Sequence, residues 1–284
     1  MALSVSVIIP TFNRWPTVCR AIDSVLSQSH APDEIIVVDD GSSDHTASKL
    51  KTQYEDQVTV LEQNNRGVSA ARNAGIAHSS TDWISLLDSD DEWFAEKLAM
   101  QIALVREKHD CVLCHTDEIW IRNGIRVNPM LKHQKHGGDV FEQSLSMCVI
   151  SPSSALLKKS LINQLGGFDE SLPACEDYDL WLRLCANHEV HYIRQPLLIK
   201  YGGHEDQLSK KYWGMDRFRI RALSNLIDSQ SLPVEKRRQA LMILSKKTEI
   251  LLNGAIKHGN DPLVKECQSM ISQHGLHTTE TRPC

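Results

Sequence analysis

The sequence predicts an α/β protein of the doubly wound class, in which helices cover the faces of a mostly parallel sheet. Three observations support this prediction. Short β-branched runs alternate with segments of helical spacing through the first 110 residues. The chain has 284 residues and is 41% hydrophobic, which suits one large α/β domain with a modest appendage. Polar clusters rich in Asp follow several predicted strands, where open α/β sheets bind their ligands.

The first predicted unit pairs a strand at residues 5–9 with a helix. Pro10 ends the β-branched run, and apolar residues then recur at helical spacing between Val18 and Leu26. Pro16 precedes them, and proline is favoured in the first turn of a helix. Three further units follow the same order, with strands predicted at 34–38, 58–62 and 83–87, and helices to about 53, at 68–78 and at 95–108.

The second half of the chain loses this alternation. Asn123-Gly124 lies between alternating apolar residues, which is a strong signal for a hairpin. The stretch CVLCH at 111–115 matches a haem-attachment pattern, but no export signal accompanies it, and we interpret it as a strand. A helix is expected at 177–186, a strand at 197–201, and charged helices beyond about 209.

Composition and charge argue against several classes of protein. A formal net charge of −5 disfavours a nucleic-acid partner, because such proteins carry a basic excess. No apolar run reaches the roughly 20 residues that a membrane span needs, and the start, MALSVSVIIPTF, lacks the basic region of an export signal. Eight cysteines without framework spacing fit a reducing compartment. We therefore expect a cytoplasmic protein, with peripheral contact to a membrane left open.

An acidic cluster follows the fourth predicted strand. Asp88, Asp90, Asp91 and Glu92 lie within five positions, and such packed charges destabilise a fold unless a cation or hydrogen-bond donors lie among them. Two other polar clusters, PTFNR at 10–14 and DDGS at 39–42, follow strands that we expect to end at the same edge of the sheet. Short carboxylates suit Mg²⁺ or Mn²⁺, and they also suit hydrogen bonds to a ribose or a base.

Helix capping is the alternative explanation for part of this cluster. Ser89 and Glu92 have the spacing of a capping box, and the helix dipole favours acids in a first turn. We therefore assign Asp91 and Glu92 to the start of the next helix. Asp88 and Asp90 are assigned to a ligand site, because capping needs one of them at most.

Four segments, VSVIIPTFNR, IIVVDDGSSDHT, NNRGVSAARNAG and ISLLDSDDEW, resemble in order and spacing the nucleotide-binding half of family 2 inverting glycosyltransferases with the GT-A fold. The resemblance is dense over the first 110 residues and resumes at GGFDESLPACEDYDLWLRL. It implies a Rossmann-like mixed sheet flanked by helices. The implied parts are a nucleotide-sugar-binding half at 1–110, an acceptor and catalytic half at 111–205, and a C-terminal helical region at 206–284.

The resemblance also implies roles for individual residues. In the family, nucleotide binding involves the end of the first strand, here Pro10, Thr11 and Asn13, and the aspartate that contacts the base, here Asp40. It also involves the arginine of the A-R-N-x-G segment, here Arg72, and the start of the D-x-D motif, here Asp88 and Ser89. Metal binding falls on Asp90, and His204 is a second candidate ligand, acceptable to Mn²⁺. The general base is expected at Asp177, with Glu176 and Asp179 as the next candidates.

The implied activity is transfer of a sugar, with inversion, from a nucleotide-diphosphate donor to an acceptor hydroxyl. A UDP-sugar is the favoured donor, and a saccharide or lipid-linked acceptor in bacterial surface polysaccharide or glycolipid synthesis is expected. A bound Mn²⁺ or Mg²⁺ would neutralise the leaving diphosphate, and a carboxylate would take the proton of the attacking hydroxyl. The Q-x-x-R-W motif of processive synthases does not occur, so a single transfer per acceptor is expected.

Two other functions and several structural explanations are alternatives to these roles. A sugar nucleotidyltransferase would carry a glycine-rich basic loop after the first strand, whereas this chain has PTFNRWP. A non-catalytic sugar-nucleotide sensor or scaffold would lose the base, whereas an acid stands at 177. The structural alternatives are a helix cap at Thr11 or Asn13, an Asx turn at Asp40, a solvated helix arginine at Arg72 and a surface histidine at His204.

Overall fold

The computed structural model describes residues 3–203, 212–229 and 232–276, and a mixed β-sheet forms its centre. The strands are β1 (Val5–Thr11), β2 (Glu34–Asp39), β3 (Thr59–Glu62), β4 (Trp83–Leu86), β5 (Glu92–Trp93), β6 (Leu113–Arg122), β7 (Ile125–Val127), β8 (Leu156–Lys158) and β9 (His191–Gly202). The helices are α1 (Thr17–Leu26), α2 (Thr46–Tyr54), α3 (Val68–His78), α4 (Lys97–Glu107), α5 (Phe141–Ser146), α6 (Lys159–Gln164), α7 (Glu176–Cys185), α8 (Asp216–Ser229), α9 (Val234–Lys257) and α10 (Asp261–His274).

Four strands form the predicted parallel half of the sheet. They lie in the order β3-β2-β1-β4, and each neighbouring pair is parallel. Ile8 of β1 pairs with Ile36 of β2 and with Leu86 of β4. The first strand does not end at Pro10 as predicted, because Pro10 keeps its register with Val38 and removes only one N–H donor. The carboxyl ends of these strands therefore lie at one edge.

The remaining strands make the sheet mixed. β8 runs antiparallel to β4 and β6, β9 runs parallel to β6, and the short β5 runs antiparallel to β9. The register between β6 and β9 shifts around Thr116 and Asp117, and such irregularities often re-aim side chains beside a site. The predicted hairpin is confirmed between β6 and β7, where Asn123 and Gly124 have φ angles of 49° and 76° that fit a type I′ turn.

Two apolar cores cover the two faces of the sheet. Along β1, Val7 and Ile9 belong to one core and Ile8 belongs to the other, as expected for a strand buried on both faces. The first core includes Ile22 of α1, and the second includes Trp181 of α7. Full burial of such side chains contributes about 1.5–3 kcal/mol each, so both helix layers are held on the sheet.

The C-terminal helices share the core that contains Trp181. Leu223 and Leu226 of α8 and Leu244 of α9 are buried in the same cluster as Ile8 of β1. All three segments of the chain thus contribute to one core, and the boundaries 1–110, 111–205 and 206–284 remain a prediction. None of the helices in the described part of the chain has the length and apolarity needed to cross a bilayer.

Candidate active site

Hydrogen bonds hold the loops after β1 and β2 together at the carboxyl edge of the sheet. Asn13 has a left-handed φ of 51°, its N–H donates to Ser42 Oγ at 2.8 Å, and its Oδ1 accepts from the N–H of Ser43 at 2.8 Å. The carbonyl of Thr11 accepts from the N–H of Asp40 at 2.9 Å. Asn13 therefore ties the two loops together rather than capping α1, whose N-terminus has no side-chain cap.

Asp40 anchors the loop that precedes α3. Its Oδ1 accepts from Gln63 Nε2 at 2.7 Å and from the N–H of Arg66 at 2.9 Å, and its Oδ2 accepts from the N–H of Gly67 at 2.8 Å. The Asx turn considered for Asp40 does not form; the local side-chain bond belongs to Asp39, whose Oδ1 accepts from the N–H of Ser42 at 2.9 Å. A carboxylate has about four acceptor positions, and these bonds fill three of those of Asp40.

The hydroxyl of Thr11 lies at the same edge of the sheet. The side chain is buried, and its Oγ1 makes no hydrogen bond within the described residues. A buried polar atom left unpaired costs about 1–3 kcal/mol, so buried hydroxyls normally have partners. A ligand that reaches Thr11 would supply one.

Arg72 joins the acidic cluster to the start of α7. Its buried guanidinium donates to Asp88 Oδ1 at 2.7 Å and to Glu176 Oε1 at 2.6 Å, and it lies 5.1 Å from the ring of Phe168. Burial favours a raised pKa for Asp88, but Arg72 holds that pKa below its usual range. At Glu176, burial raises the pKa more than Arg72 lowers it, so the pKa of Glu176 lies above its ordinary value. The alternative of a solvated helix arginine is therefore wrong for Arg72, whereas its contact with a nucleotide stays a prediction.

A polar cleft of about 480 Å³ opens beside the acidic cluster. Asp90 lines it together with Arg14 and Arg20. Arg20 Nη2 donates to the carbonyl of Asp90 at 2.6 Å, and Arg14 Nη2 lies 3.7 Å from Asp90 Oδ2. The Arg20 guanidinium also stacks on the ring of Tyr201 at 3.8 Å. A carboxylate with two arginines suits a ligand that carries phosphate groups and a cation.

The assignment of Asp91 and Glu92 to a helix cap is wrong. The helix α4 begins at Lys97, whereas Glu92 begins the short strand β5. Asp91 is buried, and its carboxylate accepts from Ser153 Oγ at 2.6 Å and from the N–H of Tyr201 at 3.1 Å. Glu92 accepts from the Tyr201 hydroxyl at 2.8 Å. Pairing with β9 thus overrides the local capping signal, and burial raises the pKa of Asp91 well above its ordinary value.

Three carboxylates lie in the first turn of α7, and they differ in what they contact. Glu176 is buried against Arg72. Asp179 is buried as well, and its Oδ2 accepts from Arg183 Nη2 at 2.6 Å and from Nε at 2.9 Å. Asp177 is half-buried, and it makes no ion pair with another described residue within 4 Å. Of these three acids, Asp177 is the one that does not pair with an arginine among the described residues.

Cys148, which the sequence did not single out, contacts Asp177. Its thiol donates to Asp177 Oδ2 at 3.2 Å and also lies 3.2 Å from the carbonyl of Ile150, so the proton is shared between two acceptors. The other carboxylate oxygen, Oδ1, accepts from the N–H of Tyr178 at 2.7 Å. Burial and the neighbouring Asp177 raise the pKa of Cys148 well above its ordinary value, so the thiol stays protonated.

Lys200 places a positive charge among the acids, and it too was missed in the sequence. It is half-buried on β9, where it pairs with Trp120 of β6. Burial would lower the pKa of Lys200, but Asp91, Glu118 and Asp88 raise it above its ordinary value. The acidic cluster was expected to need a cation, and Lys200 provides part of that charge from the chain itself. No motif marks this lysine, because its acidic neighbours lie far away in the sequence.

Among the described residues, one carboxylate that could bind a divalent cation lines the cleft, and these residues do not supply a complete set of metal ligands. No group of three His, Cys, Asp or Glu side chains within the described ranges is placed to hold a metal. Asp88 is bonded to Arg72, whereas Asp90 lines the cleft. The other candidate ligand, His204, lies outside the described residues. Mg²⁺ is commonly held by one or two carboxylates together with substrate phosphates, so Asp90 fits a cation that is completed by a donor diphosphate.

Comparison with known sequences gives consistent matches. Residues 6–166 match the family model described as Glycosyl transferase family 2. The chain is 32% identical over 190 residues to the Escherichia coli UDP-Glc:alpha-D-GlcNAc-diphosphoundecaprenol beta-1,3-glucosyltransferase WfgD. This alignment covers 66% of this chain and 72% of WfgD. An uncharacterized glycosyltransferase of Rickettsia bellii is 31% identical over 194 residues, covering 68% of this chain but 28% of that longer protein.

Solved structures of S. aureus TarS share the fold. TarS 1-349 in complex with UDP-GlcNAc superposes with a TM-score of 0.70 at 20% identity, covering 87% of this chain and 72% of that one. TarS 1-349 alone gives a TM-score of 0.71 at 17% identity, covering 96% and 81%. This likeness confirms the predicted mixed sheet flanked by helices.

Proposed function

This chain belongs to glycosyl transferase family 2 and is an enzyme that transfers sugars, and from this premise we propose that it moves one sugar from a UDP-sugar to an acceptor hydroxyl with inversion. The observation that carries the proposal is the bridge from Arg72 to Asp88 and Glu176. It brings the carboxyl edge of the parallel strands and the start of α7 to one place. A donor at that edge and an acceptor beside Asp177 would therefore meet.

UDP is the proposed nucleotide. WfgD is named for UDP-Glc, and a TarS structure contains UDP-GlcNAc. In this chain, the remaining acceptor position of Asp40 would take the N–H of uracil. The Thr11 hydroxyl, which has no hydrogen-bond partner among the described residues, would bond to the same nucleoside. Pro10, Asn13 and Ser89 complete the proposed wall of the nucleotide pocket.

Asp90, Arg14 and Arg20 are proposed to meet the diphosphate. Asp90 would hold Mn²⁺ or Mg²⁺ together with phosphate oxygens, and His204 remains the proposed second ligand. When bound, the ion neutralises charge that develops on the leaving diphosphate. Arg14 and Arg20 line the same cleft, and their planar N–H donors match phosphate oxygens in geometry.

Asp177 is proposed as the general base. Its carboxylate would take the proton of the acceptor hydroxyl while that oxygen attacks the anomeric carbon. The bond from the anomeric carbon to the diphosphate oxygen would break on the opposite face, so a single displacement inverts the centre. Glu176 and Asp179 are less suited to this role because each is buried against an arginine.

The proposed acceptor is a saccharide carried on a lipid diphosphate, in the synthesis of a bacterial surface polysaccharide or glycolipid. The name of WfgD specifies an acceptor of this class. The absence of a Q-x-x-R-W motif from the sequence supports one transfer per acceptor. Together these proposals place the reaction on the cytoplasmic side of a membrane, with the chain bound at its periphery.

A donor panel tests the proposal. Purified protein would be incubated with Mn²⁺, a GlcNAc-diphospholipid acceptor and, in turn, UDP-, GDP- and dTDP-sugars, and nucleotide release would be measured. We expect acceptor-dependent release of UDP, and NMR of the product should show an anomeric configuration opposite to that of the donor. Preferred release of GDP or dTDP would contradict the donor assignment, and a retained configuration would contradict the mechanism. UDP-sugar binding without transfer to any acceptor would favour the non-catalytic sensor.

A further inference from the structure

The segment that follows β6 exposes three large apolar side chains. Ile125 of β7 is 69% exposed, and Met130 and Leu131 in the next loop are 59% and 91% exposed. A single exposed apolar residue is ordinary, whereas several close together mark an interaction surface. We name the surface formed by residues 122–132 the hairpin surface.

The hairpin surface is cationic in a chain that is anionic overall. Arg122, Arg126 and Lys132 are exposed. Residues 119–138 contain no Asp or Glu, although the whole chain has a net charge of −5. Lys135 does not add to this charge at the surface, because it is buried and donates to Glu118 Oε2 at 2.7 Å. Cations therefore flank the exposed apolar side chains with no acid between them in the sequence.

The hairpin surface lies next to the candidate active site. Asn123 and Gly124, which form the turn between β6 and β7, line the same cleft as Asp90. Ile125 follows that turn directly, and its exposed side chain belongs to neither of the two cores. A partner that covers the hairpin surface would therefore lie at the rim of the cleft.

We propose that the hairpin surface docks on an anionic lipid bilayer, with Ile125, Met130 and Leu131 at the level of the headgroups and Arg122, Arg126 and Lys132 against lipid phosphates. Mixed apolar and cationic side chains are the composition that binds such an interface, through buried apolar area and attraction to anionic lipid. The inference rests on the proposed function, which puts the chain at the periphery of a membrane, and deepens it by naming the surface that binds. Vesicle binding is measured without donor or acceptor, so its failure is distinct from a failure of sugar transfer.

A second copy of the chain fits the hairpin surface less well than a bilayer does. In a two-fold dimer the same patch would face itself, which would bring two surfaces that each carry Arg122, Arg126 and Lys132 against each other. Like charges brought together in this way oppose association. An anionic lipid surface complements both the charge and the apolar character of the patch.

Vesicle co-sedimentation of the full chain tests the proposal. We expect binding to phosphatidylcholine vesicles that contain phosphatidylglycerol or cardiolipin, and little binding to phosphatidylcholine alone. Arg126→Gln and Lys132→Gln should each weaken binding about fivefold, the factor that corresponds to about 1 kcal/mol per cation at an anionic surface. Leu131→Asp combined with Ile125→Asp should abolish binding, while circular dichroism and UDP affinity stay unchanged.

A matched control uses the exposed apolar residues of α9. Met242 and Ile250 are 58% and 60% exposed, so Met242→Asp with Ile250→Asp adds the same charge elsewhere. This control variant should bind vesicles like wild type. The proposal is overturned if wild type binds neutral vesicles equally well or binds none, or if the control loses binding as fully as the hairpin variant. It is also overturned if sedimentation velocity shows a wild-type dimer that the hairpin variant lacks, since the partner would then be a second copy.

Discussion

The thiol of Cys148 donates a hydrogen bond to Oδ2 of Asp177 at 3.2 Å. Cys148 precedes Asp177 by 29 residues, and it lies on the loop between α5 and β8. With the bond from the N–H of Tyr178 to Oδ1, each oxygen of the carboxylate has one donor. The two bonds fix the rotation of the carboxylate, which a general base needs in order to meet one hydroxyl.

Because this bond orients the proposed base, Cys148→Ala should lower kcat about tenfold, which corresponds to the loss of one hydrogen bond of about 1.4 kcal/mol to a carboxylate. Cys148→Ser keeps a donor and should retain most of the rate. UDP affinity should stay within about twofold in both variants, because the thiol contacts the proposed base and not the nucleotide pocket. Steady-state kinetics with a fixed acceptor check this, and equal rates for the alanine and serine variants would contradict an orienting role.

Arg72 should be essential for stability as well as for the site. Arg72→Met leaves Asp88 and Glu176 without their shared cation, and breaking a buried ion pair from one side costs about 3–5 kcal/mol. The matched control is Arg66→Met, since Arg66 pairs with Glu170 at 2.6 Å on the surface. An exposed pair contributes about 0–1 kcal/mol. Urea denaturation of both variants checks the difference, and a similar small loss in each would show that Arg72 does not hold the two halves together.

Local pattern predicted the elements that carry these residues but not the contacts between them. The helix at 68–78 was predicted with the bounds that α3 has, yet the partner of Arg72 at Glu176 lies 104 residues away. Glu92 had the spacing of a capping box, but the capping prediction is wrong because β5 pairs with β9, where Glu92 lies opposite Ile199. The acidic cluster signalled a ligand edge, whereas Lys200 and Cys148 carried no motif and became visible only through the fold.

Asp40 should read the base of the donor. Asp40→Ala should weaken UDP binding by about 1–3 kcal/mol through loss of a buried hydrogen bond, and wild type should bind UDP more tightly than GDP in the presence of Mn²⁺. Because Asp40 also anchors the loop before α3, Gln63→Ala serves as control: it removes the 2.7 Å bond to Asp40 Oδ1 and leaves the carboxylate in place. Calorimetry should show near-wild-type UDP affinity for that control. A preference for GDP, or equal losses in the two variants, would reject the uracil contact.

Substitutions at Asp90 and at Glu92 should have different effects, the first on metal-dependent UDP binding and the second on stability. Asp90→Ala should abolish the part of UDP affinity that depends on Mn²⁺, because Asp90 is the carboxylate that lines the cleft. Glu92→Ala removes the 2.8 Å bond from the Tyr201 hydroxyl and should cost about 1 kcal/mol of stability while UDP and Mn²⁺ binding persist. Calorimetry with and without Mn²⁺, paired with thermal unfolding, measures both effects. Loss of nucleotide binding in both variants would mean that the roles of the acids are divided wrongly.

Substitution of Asp177 should lower the rate of sugar transfer rather than UDP and Mn²⁺ binding or stability. Asp177→Asn keeps the size of the side chain and can still accept from the N–H of Tyr178, but a neutral amide cannot take the proton of the acceptor. Transfer should therefore fall by about 10² to 10⁴, while UDP and Mn²⁺ affinities stay within a few-fold of wild type. Asp179→Asn is the matched control in the same helical turn; it weakens the bonds from Arg183 and should lower stability more than rate per folded molecule. If Asp177→Asn transfers sugar at nearly the wild-type rate, the base is another group, and Glu176 is the next to replace.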